Sequence, residues 1–313
     1  MDLLKIAEEN TPKKPKKYPF YFKFLSLLSV VRGYNIAVIV LAQYLAAIFI
    51  FSPEKSLKHI LLNPELYIIV LASICVIAAG YIINNFYDVE RDSINKPVKT
   101  QLDSIVSQKT KLSIYFLLNF LGVLLAFYIS WRAAFFFSVY IFLIWLYSHK
   151  LKKYPLIKLF SAAILRLLPF FVIFVYYKNF SSIIFIHATF LFFVLLIREL
   201  IKDLENMKGD LISGLLTLPI QYGEYFTKLL ISLTSIFVFP SIYFLVKLPE
   251  VGYMKYYFYI AIFVLFLVDV FLWKAKTKKD YLVLQTILKI LMTLGVISLM
   301  FIDTSVIINR ILN

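Results

Sequence analysis

Long apolar runs alternate with short polar segments along this chain. Nine runs, most of them about 18–22 residues long, cover residues 34–51, 66–87, 112–131, 133–147, 156–177, 181–200, 226–246, 254–273 and 282–302. A hydrocarbon layer about 30 Å thick is crossed by about 20 helical residues. The runs are continuous and do not alternate in short segments, so helices are favoured over an outer-membrane barrel. The pattern therefore predicts an all-α polytopic membrane protein with nine transmembrane helices.

The composition supports a membrane protein and excludes a soluble one. Of the 313 residues, 61% are hydrophobic and 16% are charged, and the mean hydropathy is +0.83. A soluble domain cannot bury that much apolar surface. The net charge of +15 fits basic loops facing an anionic leaflet, so we expect no nucleic-acid partner. The single cysteine, Cys75, lies in an apolar run, so no disulfide framework is expected.

Charge asymmetry predicts the orientation of the helices. Residues 1–20 read as a flexible basic tail and residues 21–313 as a single transmembrane domain, with an amphipathic interfacial segment at 20–32. The tail and the loops after spans two, four, six and eight carry about 23 Lys and Arg residues, against about 7 on the other side. We therefore expect an integral protein of a bacterial or archaeal inner membrane. Its N-terminus and acidic segments would be cytoplasmic and its C-terminus on the opposite side.

An acidic stretch ends the second apolar run. Asn84, Asp88 and Asp92 are spaced four apart, which places them on one face of a helix. Carboxylate and amide oxygens suit Mg2+, which binds a few carboxylates together with substrate phosphate oxygens. The alternative is a helix end that is merely solvated.

A second acidic stretch ends the sixth run. Glu199, Asp203, Asn206 and Asp210 also share one helical face. Two acidic faces on the same side of the membrane would repel unless cations lie between them. A diphosphate bridged by Mg2+ removes that repulsion.

A diphosphate also needs protein cations. Candidates are Arg91 in the first stretch, Lys202 in the second, and Lys150 or Lys152 just after Tyr147. Arg and Lys stabilise a departing diphosphate. Each is alternatively an ordinary residue of a basic cytoplasmic loop. Arg91 and Lys152 are the leading candidates because of their positions.

These stretches resemble the UbiA superfamily of intramembrane prenyltransferases, over most of the chain. The first stretch resembles the family's first Asp-rich motif, and Tyr147-Ser-His-Lys-Leu-Lys152 resembles its tyrosine–lysine loop. The run from Lys202 to Asp210, followed by Gly214-x-x-Thr217-Leu-Pro219, resembles its second motif. Asn206 and Asn85 stand where many members have Asp, which puts a metal role for Asn206 in doubt. The segments 93–97 and 202–219 look most like geranylgeranylglyceryl phosphate geranylgeranyltransferases and their bacterial relatives.

The resemblance implies nine helices around a central cavity that opens sideways to lipid, with a cytoplasmic cap of loops. It implies a polyprenyl diphosphate donor, a hydrophobic acceptor and Mg2+ as cofactor. One metal would be held by Asn84, Asp88 and Asp92, the other by Asp203 and Asp210 with support from Glu199. The four aspartates would be the catalytic residues, and Arg91, Lys150 or Lys152, Lys202 and Tyr147 would bind diphosphate.

Further substrate contacts and the acceptor stay open. Arg32 and Asn35 either place the acceptor or serve topology, and Arg166 faces the cavity or pairs internally. The acceptor is a lipid of the geranylgeranylglyceryl phosphate type or, alternatively, an aromatic quinone precursor. A transporter of an anionic substrate is the competing class, although no Gly/Pro-broken midplane helix is evident. The sequence leaves the oligomeric state open.

Overall fold

The computed structural model describes residues 19–52, 55–178 and 181–302. Most of the predicted basic tail lies outside these residues. The described helices are α1 Phe20–Val30, α2 Gly33–Ala46 (continued by a π-helical turn, Ala47–Phe51), α3 Leu57–Leu61, α4 Pro64–Tyr87, α5 Val89–Asn95, α6 Pro97–Asp103, α7 Gln108–Ile129, α8 Trp131–His149, α9 Pro155–Tyr177, α10 Ser182–Ile212, α11 Leu218–Tyr222, α12 Glu224–Lys247, α13 Lys255–Lys274 and α14 Lys278–Ser298. Short 3-10 segments lie at Leu151–Lys153, Pro249–Met254 and Leu299–Phe301.

Within the described ranges, nine helices are long and apolar enough to cross a membrane. Each corresponds to one of the nine predicted runs, and no strand occurs in the part of the chain that the structure describes. The predicted all-α, nine-helix membrane architecture is therefore confirmed.

The two helices that carry the acidic stretches are the most buried of the nine. In α4, 67% of the membrane segment is buried inside the protein, and in α10, 61%, against 17% in α7. By contrast, α7 exposes large apolar side chains such as Phe116, Phe120 and Phe127, which suit a lipid-facing helix. The acid-bearing helices thus form the centre of the bundle.

Local sequence signals set several helix ends. Pro64 opens α4, and the Asn63 side chain accepts hydrogen bonds from the first-turn amides. Thr277 and Asp280 form a reciprocal capping box at the start of α14. Such caps satisfy amides that have no partner inside the helix.

A polar contact links three helices at membrane depth. Gln43 Nε2 on α2 donates hydrogen bonds to Ser73 Oγ on α4 (3.1 Å) and to the carbonyl of Pro169 on α9 (2.8 Å). Polar groups buried in a membrane protein require such partners because hydrocarbon offers none. The contact therefore links α2 with α4, which ends at the first acidic stretch, and with α9, which follows the tyrosine–lysine loop.

Two polar segments that the sequence presents as loops contain helices. The stretch after Asp88 folds into α5 and α6, and the Gly/Pro-rich stretch before α12 contains α11. The sixth apolar run, predicted to end at residue 200, continues as one 31-residue helix to Ile212. Its length carries the second acidic stretch beyond the apolar segment without a break.

Close packing of α4 against α7 generates a prediction about stability. An added Cβ at Gly122 would lie 2.7 Å from Val76 Cγ2, so Gly122→Ile should overpack this contact. We expect the free energy of unfolding to fall by about 2 kcal/mol, seen as a lower Tm of the detergent-purified protein. Phe120→Leu, at a lipid-facing position on the same helix, is the control. Equal melting of both variants and the unmodified protein would contradict close packing at Gly122.

Candidate active site

The first acidic stretch crosses a junction between two helices. Asp88 follows the last residue of α4 and precedes α5, with φ −100° and ψ 6°. Its amide donates to the carbonyl of Asn84 (3.1 Å), and the amide of Asp92 donates to the carbonyl of Asp88 (2.8 Å). The helical spacing survives the junction, so all three side chains stay on one side of the chain. Asp88 and Asp92 are both buried.

Asp88 is surrounded by hydrogen-bond donors. Lys152 Nζ donates to both carboxylate oxygens of Asp88, at 3.0 and 2.9 Å. Arg91 donates to the same carboxylate at 2.7 Å and Asn84 Nδ2 at 2.8 Å. Because charge-assisted bonds of this kind favour the ionised acid, Asp88 is held as a carboxylate.

The pKa values follow from burial and from these neighbours. Burial alone would raise the pKa of Asp88, but the charges of Lys152 and Arg91 outweigh it and lower that pKa to about 2. Burial lowers the pKa of Lys152 to about 8, against the opposing effect of Asp88. The pKa of Arg91 is raised because three aspartates outweigh its burial. Asp88 is therefore ionised throughout the neutral range, while Lys152 changes charge only slightly above it.

The second acidic stretch lies on α10 and is also matched by cations. Asp203 accepts from Lys158 Nζ at 2.6 Å, and both side chains are buried. Glu199 pairs with Arg166 (2.6 Å) and with Lys202 (3.3 Å). Each of these two carboxylates thus has a cation within contact distance.

Arg91 and Asn95 join the two acidic stretches. Arg91 contacts Asp88 and lies 3.6 Å from Asp92 Oδ1 and 3.7 Å from Asp210 Oδ1 on α10. Asn95 Nδ2 donates to the carbonyl of Asn206 (3.2 Å), and the amide of Gly209 donates to Asn95 Oδ1 (3.2 Å). The two helix tips therefore meet, with α5 packed on the end of α10.

The carboxylates do not form a ready-made metal cage. Among the described residues, no three His, Cys, Asp or Glu side chains converge to hold a metal ion. Asp210 Oδ1 and Asn206 Oδ1 are nevertheless buried and accept no hydrogen bond from the described chain. Mg2+ binds through one or two carboxylates together with substrate phosphates. The donor set therefore fits Mg2+ that arrives with a diphosphate better than Mg2+ held by protein alone.

A comparison with known families decides the family of the chain. Residues 40–294 match the model of the UbiA prenyltransferase family. The chain belongs to this family. The resemblance drawn from the acidic stretches is confirmed, and the chain is an intramembrane prenyltransferase.

Curated relatives and solved structures support this assignment. The chain is 30% identical over 209 residues to digeranylgeranylglyceryl phosphate synthase of Methanobrevibacter smithii, which covers 63% of this chain and 69% of the relative. It is 27% identical over 237 residues to the synthase of the same name from Korarchaeum cryptofilum, covering 72% and 81%. A UbiA homologue of Archaeoglobus fulgidus bound to GPP and Mg2+ superposes with a TM-score of 0.64 at 14% identity, covering 88% of this chain and 99% of that one. The structural likeness shows the shared fold, and the bound Mg2+ of that homologue agrees with the cofactor expected here.

The tyrosine–lysine loop and Arg166 were also predicted to contribute to the site. Lys152 lies 5.4 Å from the centre of the Tyr147 ring, whereas Lys150 is exposed. The sequence allowed Arg166 either to face the cavity or to pair inside the protein. In the structure it pairs with Glu199. Glu199 therefore contacts two cations, Arg166 and Lys202, just as Asp88 contacts Arg91 and Lys152.

The start of α2 lies beside Tyr81 of α4. The guanidinium of Arg32 lies 5.2 Å from the centre of the Tyr81 ring, and Asn35 Nδ2 donates to the Tyr81 hydroxyl at 3.4 Å. Both residues are half-buried, and Arg32 lies within electrostatic range of Arg198.

Sequence reasoning missed Lys158 and Asn95. Lys158 stands in the first turn of α9, at the edge of an apolar run, and reads as one more basic-loop residue. Asn95 lies in a segment predicted as loop. The available signal for Lys158 was the cost of burying Asp203, which requires a cation nearby.

The Asn95 contact generates a double-mutant prediction. An added Cβ at Gly209 would lie 2.6 Å from Asn95 Oδ1. Gly209→Ala should therefore displace the side-chain amide of Asn95, and Asn95→Ala removes that same amide. We expect each variant to lose about 2 kcal/mol of stability because two buried hydrogen bonds are lost. Prenyl transfer should also fall. The double variant should be no worse than the more damaging single one, since both act on one contact.

Thermal unfolding and transfer assays of all four proteins provide the measurement. Additive losses in the double variant would show that Gly209 and Asn95 act independently and would contradict the proposed link.

Proposed function

We propose that this protein transfers a geranylgeranyl group from its diphosphate to a hydroxyl of geranylgeranylglyceryl phosphate. The observation that carries the proposal is the meeting of two buried acidic helix tips with Arg91, Lys152 and Lys158 between and beside them. The name shared by the curated archaeal relatives supports this donor and acceptor. An aromatic acceptor is the alternative that the assay below distinguishes.

The charge of the site matches this ligand. Four aspartates (Asp88, Asp92, Asp203 and Asp210) face three cations in direct contact with them, which leaves a net charge of −1. A diphosphate with two Mg2+ ions would add roughly one positive charge. The bound site would then be close to neutral, which a buried position requires.

Mg2+ would be held, together with the diphosphate, by four aspartates: Asp88, Asp92, Asp203 and Asp210. The side-chain oxygens of Asn84 and Asn206 belong to the same two acidic stretches. When bound, Mg2+ supplies Lewis-acid stabilisation of the departing diphosphate. Lys152 and Arg91 add positive charge at the same place. The Lys152 ammonium now on Asp88 is well placed to donate to a phosphate oxygen once that carboxylate has another cation.

The reaction breaks the bond between the first prenyl carbon and the diphosphate oxygen, with the electron pair leaving on diphosphate. The acceptor hydroxyl oxygen forms the new ether bond, and its proton departs with the diphosphate. The reactive allylic carbon must be kept from water. Burial of Asp88, Asp203 and Asp210 supports a reacting centre that is away from bulk solvent.

The orientation in the membrane is part of the same proposal. The asymmetry of Lys and Arg between the two sets of loops supports a cytoplasmic site and N-terminus, with the C-terminus on the other side. Residues 21–313 would act as one transmembrane domain.

Removing single aspartates tests the metal assignment. We expect Asp88→Ala and Asp203→Ala each to reduce Mg2+-dependent transfer by at least about 100-fold, because each deletes an oxygen ligand and a buried charge partner. The measurement is product formation from labelled geranylgeranyl diphosphate with a prenylglycerol phosphate or an aromatic acceptor. Glu90→Gln, an exposed acid on α5, should retain transfer. Full activity in both alanine variants would refute the assignment.

The lysine loop provides a second test. Lys152→Gln should lower kcat by about 100-fold with a smaller effect on the KM for the acceptor, because the lost charge faces the departing diphosphate. Lys153→Gln, exposed in the same 3-10 segment, should behave like the unmodified protein. If Lys150→Gln instead loses activity while Lys152→Gln retains it, the assignment of Lys152 is wrong.

A further inference from the structure

Four cations near the site form no ion pair among the residues that the structure describes. In the described part of the chain, Arg91, Lys152, Lys158, Arg166 and Lys202 each have a carboxylate oxygen within 4.0 Å. Four other cations have no carboxylate oxygen within 4.0 Å among the same residues. We call these four the free cation cluster. Its members are Arg32, Lys96, Arg198 and Lys289.

Arg198 is the most informative member. Its Nε–H is buried and donates to no acceptor among the described residues. On a helix with about 100° between residues, Arg198 lies roughly a third of a turn from the face shared by Glu199 and Asp203. The same helix thus presents its acids to α5 and α9 and Arg198 to a different side.

The other members gather on that side. Arg198 lies within electrostatic range of Arg32 and Tyr81, and the Arg32 guanidinium lies over the Tyr81 ring. Lys289 on α14 experiences the charges of Arg198, Lys96 and Arg32. Helix α14 packs against both α10 and α2, which brings the four cations together.

Lys96 lies at the end of the first acidic stretch. Burial and the positive charge of Arg32 lower the pKa of Lys96. Asp92 and Glu205 are the acids that face Lys96, and Glu205 also faces Lys289. Glu199 lies within electrostatic range of Arg198, but it is already contacted by Arg166 and Lys202. Asp92 is likewise contacted by Arg91, so Glu205 is the single carboxylate left for the cluster. Its net charge is therefore +3.

Arg32, Lys96 and Arg198 are half-buried and Lys289 is exposed at their edge. Half-buried cations that repel one another favour an anionic ligand. A phosphate monoester carries two negative charges and several acceptor oxygens, and Arg is well suited to bind it. The cluster adjoins the acidic stretches through Lys96 on one side and Arg198 on the other, so an anion here would lie next to the diphosphate site.

We propose that the free cation cluster binds the phosphate group of the acceptor lipid and so positions the acceptor hydroxyl towards the donor. This inference rests on the proposed function, since it assumes an acceptor with a phosphate monoester. The residues assigned to it are Arg198 and Arg32 as direct phosphate contacts, with Lys96 and Lys289 completing the charge.

Equilibrium binding without donor or Mg2+ tests the proposal directly. The probes are geranylgeranylglyceryl phosphate, geranylgeranylglycerol, inorganic phosphate and vesicles of phosphatidylglycerol. The unmodified protein should bind the phosphorylated lipid at least tenfold more tightly than the dephosphorylated one. Arg198→Gln and Lys289→Gln should lose most of that preference. Lys208→Gln, at an exposed position further along the same helix, should keep it.

Three results would overturn the proposal. They are no preference for the phosphorylated lipid in the unmodified protein, an unchanged preference in both Gln variants, or equal competition by phosphatidylglycerol or inorganic phosphate. The last result would assign the cluster to bilayer headgroups or to free phosphate instead.

A donor measurement separates this proposal from the proposed function. Mg2+-dependent binding of geranylgeranyl diphosphate should be the same in Arg198→Gln and the unmodified protein and should be lost in Asp88→Ala. If Asp88→Ala retains donor binding, the donor site is wrongly assigned, whatever the acceptor experiment shows. If Arg198→Gln loses donor binding to the same extent as Asp88→Ala, the cluster belongs to the donor and the acceptor proposal fails.

Discussion

Buried carboxylates on two facing helix ends constrain this whole structure. A charged group taken out of water is costly unless an opposite charge contacts it. Asp88 and Asp210 lie on different helices and are both buried, so the ends of α4 and α10 can approach only with cations between them. Arg91 provides that cation and contacts both sides. The central position of α4 and α10 in the bundle follows, because their polar ends need the protection of the surrounding helices.

The resting arrangement also explains how the site can accept a large anionic ligand. The side-chain cations that would bind a diphosphate are already present. They form ion pairs with the carboxylates that would bind the metal. Lys152 on Asp88 and Lys158 on Asp203 are the two examples. Binding of a metal–diphosphate complex would exchange partners between charges that are already buried, so the ligand does not have to bring new charged side chains out of water. That exchange avoids most of the desolvation cost of assembling the site.

Much of the fold could be predicted from sequence, and the site only in part. Nine apolar runs determine nine helices because hydrocarbon permits few alternatives. The four-residue spacings within each acidic stretch, such as Asp88 to Asp92, correctly predicted which side chains share a face, because helical periodicity extends through both stretches. The contact made by Asn95 depends on how α5 packs against α10, which no local pattern encodes. Lys158 was hidden for a related reason, since a lysine beside an apolar run looks like a topology signal until its buried partner is known.

The distribution of cations around α10 carries the argument beyond the donor. Helical geometry lets one helix present acids and cations to different neighbours. Cations on the acidic side form ion pairs with carboxylates, whereas Arg198 forms no ion pair among the described residues and its buried Nε–H has no acceptor there. A buried N–H without an acceptor is unfavourable by itself, so the Arg198 Nε–H beside Arg32 supports the proposal that an anion arrives there with a substrate. With the proposed phosphate-bearing acceptor, the enzyme would need two such places, and separate faces of one helix would keep them adjacent without mixing their charges.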